Sequence, residues 1–204
     1  MHDLCEWWTR ERIEEEEKVW QRDRFFVEYA NTIRTFMREH KLVSVVELGC
    51  GSGHVARELA GEFDYRGFDG SKLMIEFAQE IHPGFLFKPL NIRRLPLKTI
   101  KADLVCSFAV LKHFGLVDWK DILGKMLSVG KYGMIQVQLK VRGHDSVEDG
   151  FFGGEVKHSW INIDEMCQAV VGAGHEVLEI RESAKDVSPY MSFAAEALLI
   201  TRQR

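Results

Sequence analysis

A chain of 204 residues suits one domain with one sizeable core. Its 46% hydrophobic and 28% charged residues are an ordinary globular balance, and only four prolines, with no low-complexity stretch, argue against a disordered linker. The net charge of -4 lacks the basic surplus with which nucleic-acid binders displace counterions along phosphates, so no nucleic-acid partner is expected.

Residues 6 to about 40 read as helical. The first half is polar, nearly all charge from Arg10 to Lys18, and the run Glu14 to Glu17 reads as a solvated face. Trp7, Trp8 and Trp20 stand in this part. In the second half Phe26, Tyr29, Ala30, Ile33, Phe36 and Met37 recur at three- and four-residue steps, which puts them on one face. Leu42 to Leu48 is a short apolar run ending at glycines, the pattern of a buried strand. A helix from His54 to Phe63 follows, then a strand from Tyr65 to Phe68 stopped by Asp69-Gly70-Ser71. Lys72 to Ile81 is helical, with Leu73, Met74, Phe77, Ala78 and Ile81 inward. Phe85–Leu90 and Ala102–Phe108 read as the third and fourth strands. Asp118 is placed to cap a helix running to about Val129, and Gly133–Val141 is the fifth strand. Asn162 caps the next helix, with Glu165 completing a pattern like a capping box. Glu176–Arg181 and Ala194–Arg202 close the chain as strands with no helical pattern between them, so they pair antiparallel across residues 182–193.

This alternation predicts one doubly wound, Rossmann-like α/β fold: a single seven-stranded sheet with an antiparallel last strand and helices on both faces. Open sheets of this kind bind ligands beyond the carboxyl ends of their strands, at the switch point of strand order. No apolar run approaches the ~20 residues that span a bilayer, and the first residues show no basic segment followed by an apolar one, so neither a membrane span nor a signal peptide is expected. Cys5, Cys50, Cys106 and Cys167 are widely spaced, which argues against a zinc site or a disulfide framework and points to the cytoplasm.

The strongest chemical signal is Val45-Val46-Glu47-Leu48-Gly49-Cys50-Gly51-Ser52-Gly53. A buried strand runs into three glycines at alternate positions, and a helix opens directly after them. Glycine serves where the backbone takes positive φ or approaches a ligand closely, and the helix start supplies free N–H groups and a positive dipole end. Glu47 is an acid at the strand's end, and Asp69 ends the next strand. The spacing Gly-x-Gly-x-Gly also differs from the dinucleotide pattern Gly-x-Gly-x-x-Gly.

VELGCGSG resembles the first motif of the class I S-adenosylmethionine-dependent methyltransferases, and YRGFDGSKLMIEFA resembles their second. LNIRRLPL is similar to the segment after their third strand, and ADLVCSFAVLKHF to their fourth-strand motif. The resemblance covers roughly Val43 to Leu139 and implies S-adenosylmethionine as cofactor. It divides the chain into an N-terminal helical cap, residues 1–40, and a methyltransferase domain, residues 41–204. It implies that Gly49, Cys50, Gly51 and Gly53 pass the methionine and ribose parts of the cofactor. Glu47 would bond toward the aminoacyl group, and Asp69, with Gly70 beside it, would accept both ribose hydroxyls. Met74 would pack on the adenine, Asn91 would accept from the adenine amino group and Ile92 would offer its N–H, while Ser107 and Phe108 would lie beside the sulfonium. The segment Leu127-Ser128-Val129-Gly130-Lys131-Tyr132-Gly133 departs from the family's Leu-Lys-Pro-Gly-Gly turn. The Asp/Asn-Pro-Pro-aromatic motif and the Pro-Cys nucleophile of amino- and cytosine-methylating enzymes are absent from the sequence after strand four.

Methyl transfer from a sulfonium is an in-line displacement with a neutral leaving group, so alignment and exclusion of water do most of the work. A base helps where the acceptor is a hydroxyl or an ammonium, and His113, just beyond strand four, is the candidate. Arg142 to Gly154 is polar and glycine-rich with two aromatics, the composition of a lid loop, and His144 and His158 lie in or near it without metal-ligand spacing, so no metal is expected. The acidic charge and small size favour a small-molecule methyl acceptor, with oligomeric state left open. Two other classes fit the same fold: an S-adenosylmethionine-binding protein without transferase activity, and a nucleotide-dependent oxidoreductase.

Overall fold

The computed structural model describes residues 8–20, 24–59, 61–94, 99–139, 147–151, 156–183 and 195–204. Where one N-terminal helix was expected there are two, α1 (Arg10–Trp20) and α2 (Phe25–Glu39). Then come β1 (Ser44–Leu48), α3 (His54–Glu58), β2 (Asp64–Asp69), α4 (Lys72–Ile81), β3 (Leu86–Pro89) and β4 (Ala102–Ser107). The second half holds α5 (Trp119–Leu127), β5 (Gly130–Leu139), β6 (Val147–Phe151), β7 (Val156–Trp160), α6 (Ile163–Gly172), β8 (His175–Ser183) and β9 (Ala195–Gln203). Short 3₁₀ turns stand at Ile92–Arg94 and Leu111–His113.

Seven strands form one sheet in the order β3-β2-β1-β4-β5-β9-β8. The first five are parallel, and β9 runs antiparallel to both β5 and β8, as the closing strands predict. Alternation along each strand divides the core between the two faces. Val45, Leu104, Cys106 and Met134 face α2, α3 and α4, packing with Ile33, Met37, Val55 and Ile75. Val46, Leu48, Val105, Ile135 and Val137 face α5 and α6, packing with Trp119, Leu123, Met126, Met166 and Val170. Each such fully buried large side chain contributes roughly 1.5–3 kcal/mol relative to exposure.

The local signals differ in how well they carry through. Asn162 caps α6, accepting from the N–H groups of Asp164 at 2.8 Å and Glu165 at 3.2 Å. Asp118, also expected to cap, makes no such bond: its backbone is already helical and its carboxylate pairs with Arg93 instead. The helix expected from His54 to Phe63 stops at Glu58, with Gly61 at φ +73°. In α4, Leu73 and Ile81 point outward rather than inward, leaving Met74, Ile75 and Ala78 as the buried set. The segment expected as a loop after β5 contains a hairpin of β6 and β7, whose partners run from Val147↔Trp160 to Phe151↔Val156. Residues 142–146 and 152–154 of that segment, His144 among them, lie outside the described residues.

At the amino ends of the strands, Asp103 accepts from the N–H groups of Val43 and Ser44, both at 3.1 Å, and from the Ser44 hydroxyl at 3.0 Å. Lys131 of β5 pairs with its other oxygen at 3.2 Å. Burial raises the Asp103 carboxyl, but these donors outweigh it and hold it at about 2.

Candidate functional site

β1 lies between β2, which leads to one edge of the sheet, and β4, which leads to the other, so strand order reverses between β1 and β4. The glycine loop leaves the carboxyl end of β1 at that point. Gly49, Gly51 and Gly53 all have positive φ, +81°, +52° and +87°. Their surroundings separate their tasks. A Cβ on Gly49 would meet Val110 Cγ2 at 2.1 Å, and one on Gly53 would meet Phe87 Cζ at 2.7 Å, so these two permit packing. A Cβ on Gly51 would meet nothing within 4 Å, so here the bare backbone borders open space. The Cys50 side chain turns into the core; its thiol would lie 3.0 Å from a Cβ on Gly67.

Asp69 is fixed beside that space by both oxygens. Oδ2 accepts from Gly51 N at 3.0 Å and Oδ1 from Ser71 N at 2.8 Å. Burial raises this carboxyl, and the N–H groups of Ser71, Gly51 and Gly70 oppose the rise. Each oxygen keeps a lone pair for a further donor, which is what a ribose diol requires. Ser71 caps α4 by accepting from Met74 N at 3.3 Å, and Met74 is buried outside both main core clusters. Asn91 turns its Oδ1 onto Arg93 N at 3.0 Å, closing the 3₁₀ turn that follows, and Ile92 is buried against the α5 face.

Glu47 is 3% exposed and receives the Tyr65 hydroxyl. Burial pushes it up to about 8; the Tyr65 bond opposes the rise and the Asp69 charge adds to it. Across the switch point, Ser107 donates to the Leu48 carbonyl at 2.8 Å and ties β4 to β1. Phe108 follows, its ring 4.0 Å from Tyr29 of α2 and near parallel to it. Ala109 has φ +57°, and Gln136 accepts its N–H at 2.5 Å. His113 ends the second 3₁₀ turn, half-buried. The adjoining Phe114 carbonyl accepts from Ser159 in β7 at 2.7 Å, so the hairpin braces this turn.

One group went unnoticed because it sits inside a charge run. Glu17 is not solvated: it is 5% exposed and accepts from His54 Nε2 at 2.9 Å and from the Ser52 hydroxyl. Burial alone would raise its carboxyl, but these donors, with His54 and His82 nearby, bring it below the ordinary value. Phe26 stacks on His54 at 4.6 Å, and Trp20 meets the same ring edge-on at 5.9 Å. At its other end α1 is located by Arg10, which pairs with Glu80 of α4 at 2.6 Å. A buried acid on a helix of mostly exposed glutamates has no signature in composition; the i+4 step from buried Ile13 hints at it.

Among the described residues no group of three or more His, Cys, Asp or Glu is placed to hold a metal, and no helix is long and apolar enough to cross a membrane. The glycine opening, the doubly anchored Asp69 and the buried Met74 suit an adenosyl cofactor. Comparison with known proteins agrees. Residues 45–133 match the family model of the methyltransferase domain. No curated protein sequence matches the chain. Among solved structures, an S-adenosylmethionine-dependent methyltransferase from Clostridium acetobutylicum ATCC 824 superposes with TM-score 0.71 at 14% identity, covering 95% of this chain and 98% of that one. Magnesium protoporphyrin IX methyltransferase from Synechocystis PCC 6803, with bound S-adenosylhomocysteine, gives 0.66 at 15% identity over 87% and 83% of the two chains. The [4+2]-cyclase SpnF gives 0.64 at 14% identity over 79% and 75%. Residues 45–133, which span the glycine loop, Asp69 and β4, thus match a methyltransferase domain, and they are carried on a fold shared with solved S-adenosylmethionine-dependent methyltransferases.

Proposed function

We propose that this enzyme methylates an oxygen or nitrogen of a small molecule. The observation that carries the reading is a wall of rings at the carboxyl ends of β1 and β4. Phe25 packs edge-on to Tyr29 at 4.2 Å, Tyr29 lies on Phe108, and Trp20 and Phe26 continue the wall to His54. Half-buried aromatic walls enclose small apolar bodies. The similar magnesium protoporphyrin IX methyltransferase, named for a small planar compound, lends support. Among the described residues, the free thiols of Cys50, Cys106 and Cys167 fit work in the reducing cytoplasm.

S-adenosylmethionine supplies a methyl group on a sulfonium, transferred by in-line displacement with a neutral leaving group. The chain's residues position the reactants. Asp69 would take the ribose hydroxyls, with Gly70 beside it, and the backbone of Gly49 to Gly53, open at Gly51, would admit the methionine part. Glu47 would orient the aminoacyl end, Met74, Asn91 and Ile92 would hold the adenine, and Ser107 and Phe108 would lie toward the methyl. The N-terminal residues 1–40 act as a cap, α1 fastening it to the glycine loop through Glu17. His113 takes a proton where the acceptor retains one.

A screen of small hydroxyl and amine compounds, read by release of S-adenosylhomocysteine, tests the proposal. Asp69→Ala should weaken S-adenosylhomocysteine binding by roughly 2–3 kcal/mol, the scale of charge-assisted hydrogen bonds. Turnover on a protein or nucleic acid and on no small compound would overturn the small-molecule reading.

A further inference from the structure

Gln136 stands on β5 one residue beyond the last pairing with β4, Ser107↔Ile135, and opposite Leu198 of β9. Alternation places it with Met134 on the face covered by α2, the face that also holds Phe108. It is 2% exposed. An amide side chain on a strand this deeply buried is out of keeping with its apolar neighbours, so its hydrogen bonds must be accounted for.

One half of the amide is engaged. The Ala109 N–H can only donate, so the Gln136 atom 2.5 Å from it is the carbonyl oxygen, and this fixes the orientation of the whole group. The bond holds Ala109 at its positive φ, between Phe108 on one side and Val110, which covers Gly49, on the other. The Nε2 group is left buried with no partner among the described residues. A buried N–H donor without an acceptor is costly. An occupant of the site that brings an oxygen removes the cost.

Resting on the methyltransferase reading above, we propose that Gln136 determines acceptor specificity: its Nε2 donates to an uncharged oxygen, a carbonyl above all, on a planar apolar acceptor. Tyr29 and Phe108 stack directly on each other, 4.0 Å apart and 27° from parallel, so the acceptor lies against the outside of the pair, beside the amide's anchor point, where a flat apolar body covers most surface. The oxygen is uncharged because Gln136, Met134, Phe108 and Tyr29 carry no positive charge, and a carboxylate buried on such a surface stays unpaired. The Oε1 half is a positioning device for the turn after β4, and the Nε2 half is the selective one.

The probes are 1-indanone, a planar bicycle with one carbonyl, and indane, its counterpart without the oxygen. Their affinities are measured by ligand-observed NMR on the full chain saturated with S-adenosylhomocysteine. Wild type should bind 1-indanone about tenfold or more tightly than indane. Gln136→Glu keeps an oxygen for Ala109 and, once its buried carboxyl is ionised at about pH 10, loses the donor, so at that pH it should lose the preference with S-adenosylhomocysteine affinity unchanged. Gln136→Met loses both halves and should lose the preference together with some thermal stability; if it fails to fold, the Glu variant still decides. A preference that survives in ionised Gln136→Glu, or no preference or no probe binding in wild type, overturns the proposal while S-adenosylhomocysteine binding leaves the methyltransferase reading intact. Loss of S-adenosylhomocysteine binding by wild type would instead remove the reading beneath it.

Discussion

Replacing Gly49 and Gly51 separately by alanine tests whether two glycines of one motif do different work. At Gly49 the new methyl faces Val110 Cγ2 at 2.1 Å, and φ is +81°. Backbone strain of about 1–2 kcal/mol adds to overpacking of about 1–3 kcal/mol, because Val110 is trapped by its own turn. Gly49→Ala should therefore lose about 2–5 kcal/mol of stability, and its melting temperature should fall by about 5–15 °C for a chain of this size. Gly51 has φ +52° and nothing within 4 Å, so Gly51→Ala should lose no more than about 1–2 kcal/mol. Its methyl would instead stand where the cofactor approaches. S-adenosylhomocysteine affinity should fall about tenfold or more, since ~1.4 kcal/mol of lost contact already has that effect. Urea melts give the stabilities, and calorimetry on the folded variants gives the affinities. A Gly51→Ala protein that binds like wild type, or a Gly49→Ala protein with wild-type stability, would refute this division of labour.

Glu47 should make the enzyme less stable as pH rises. Its carboxyl goes from about 4.5 in the unfolded chain to about 8 in the fold, so between those values the folded state holds the extra proton. The loss should amount to a few kcal/mol by pH 8 and then level off; in urea melts from pH 5 to 9, Glu47→Gln should flatten the profile, and an unchanged slope would assign it elsewhere. Glu17→Ala should release α1 from Ser52 and His54, speeding proteolytic cleavage ahead of Phe25 and altering Trp20 emission, whereas Glu14→Ala, on the exposed face, should do neither. His113→Ala should slow transfer about a hundredfold or more on a hydroxyl acceptor but less than about tenfold on a neutral amine. Equal, mild losses on both would leave alignment as the whole of catalysis.

The sheet was legible because a buried strand and an amphipathic helix leave different periods in sequence, and the two alternate from Leu42 to Val129 except between β3 and β4. The glycine loop was legible for a different reason, because its backbone takes conformations that few residues tolerate, and Asp69 was legible from its place at the end of the next strand. What escaped was decided by neighbours distant in sequence. Glu17 looks like Glu14 until Ser52 and His54 are opposite it. The β6–β7 hairpin hides in a polar, glycine-rich segment, because its strands pair with each other and lack the apolar run of a central strand. Gln136 and Gln138 did leave a trace: two amides alternating with Ile135 and Val137 are unusual in a strand covered on both faces.

Asp103 joins the starts of β1, β4 and β5 with a carboxylate that stays charged until about pH 2, at the end of the sheet away from the glycines. The protein thus resembles a hand clasped at the wrist and open at the fingers. Mild acid leaves that clasp intact and finds Glu47 already protonated, while it neutralises Asp69, whose carboxyl burial raises. Brief acid exposure is accordingly a gentle way to strip a tightly held nucleoside from the purified enzyme, the strand bases keeping their alignment for its return.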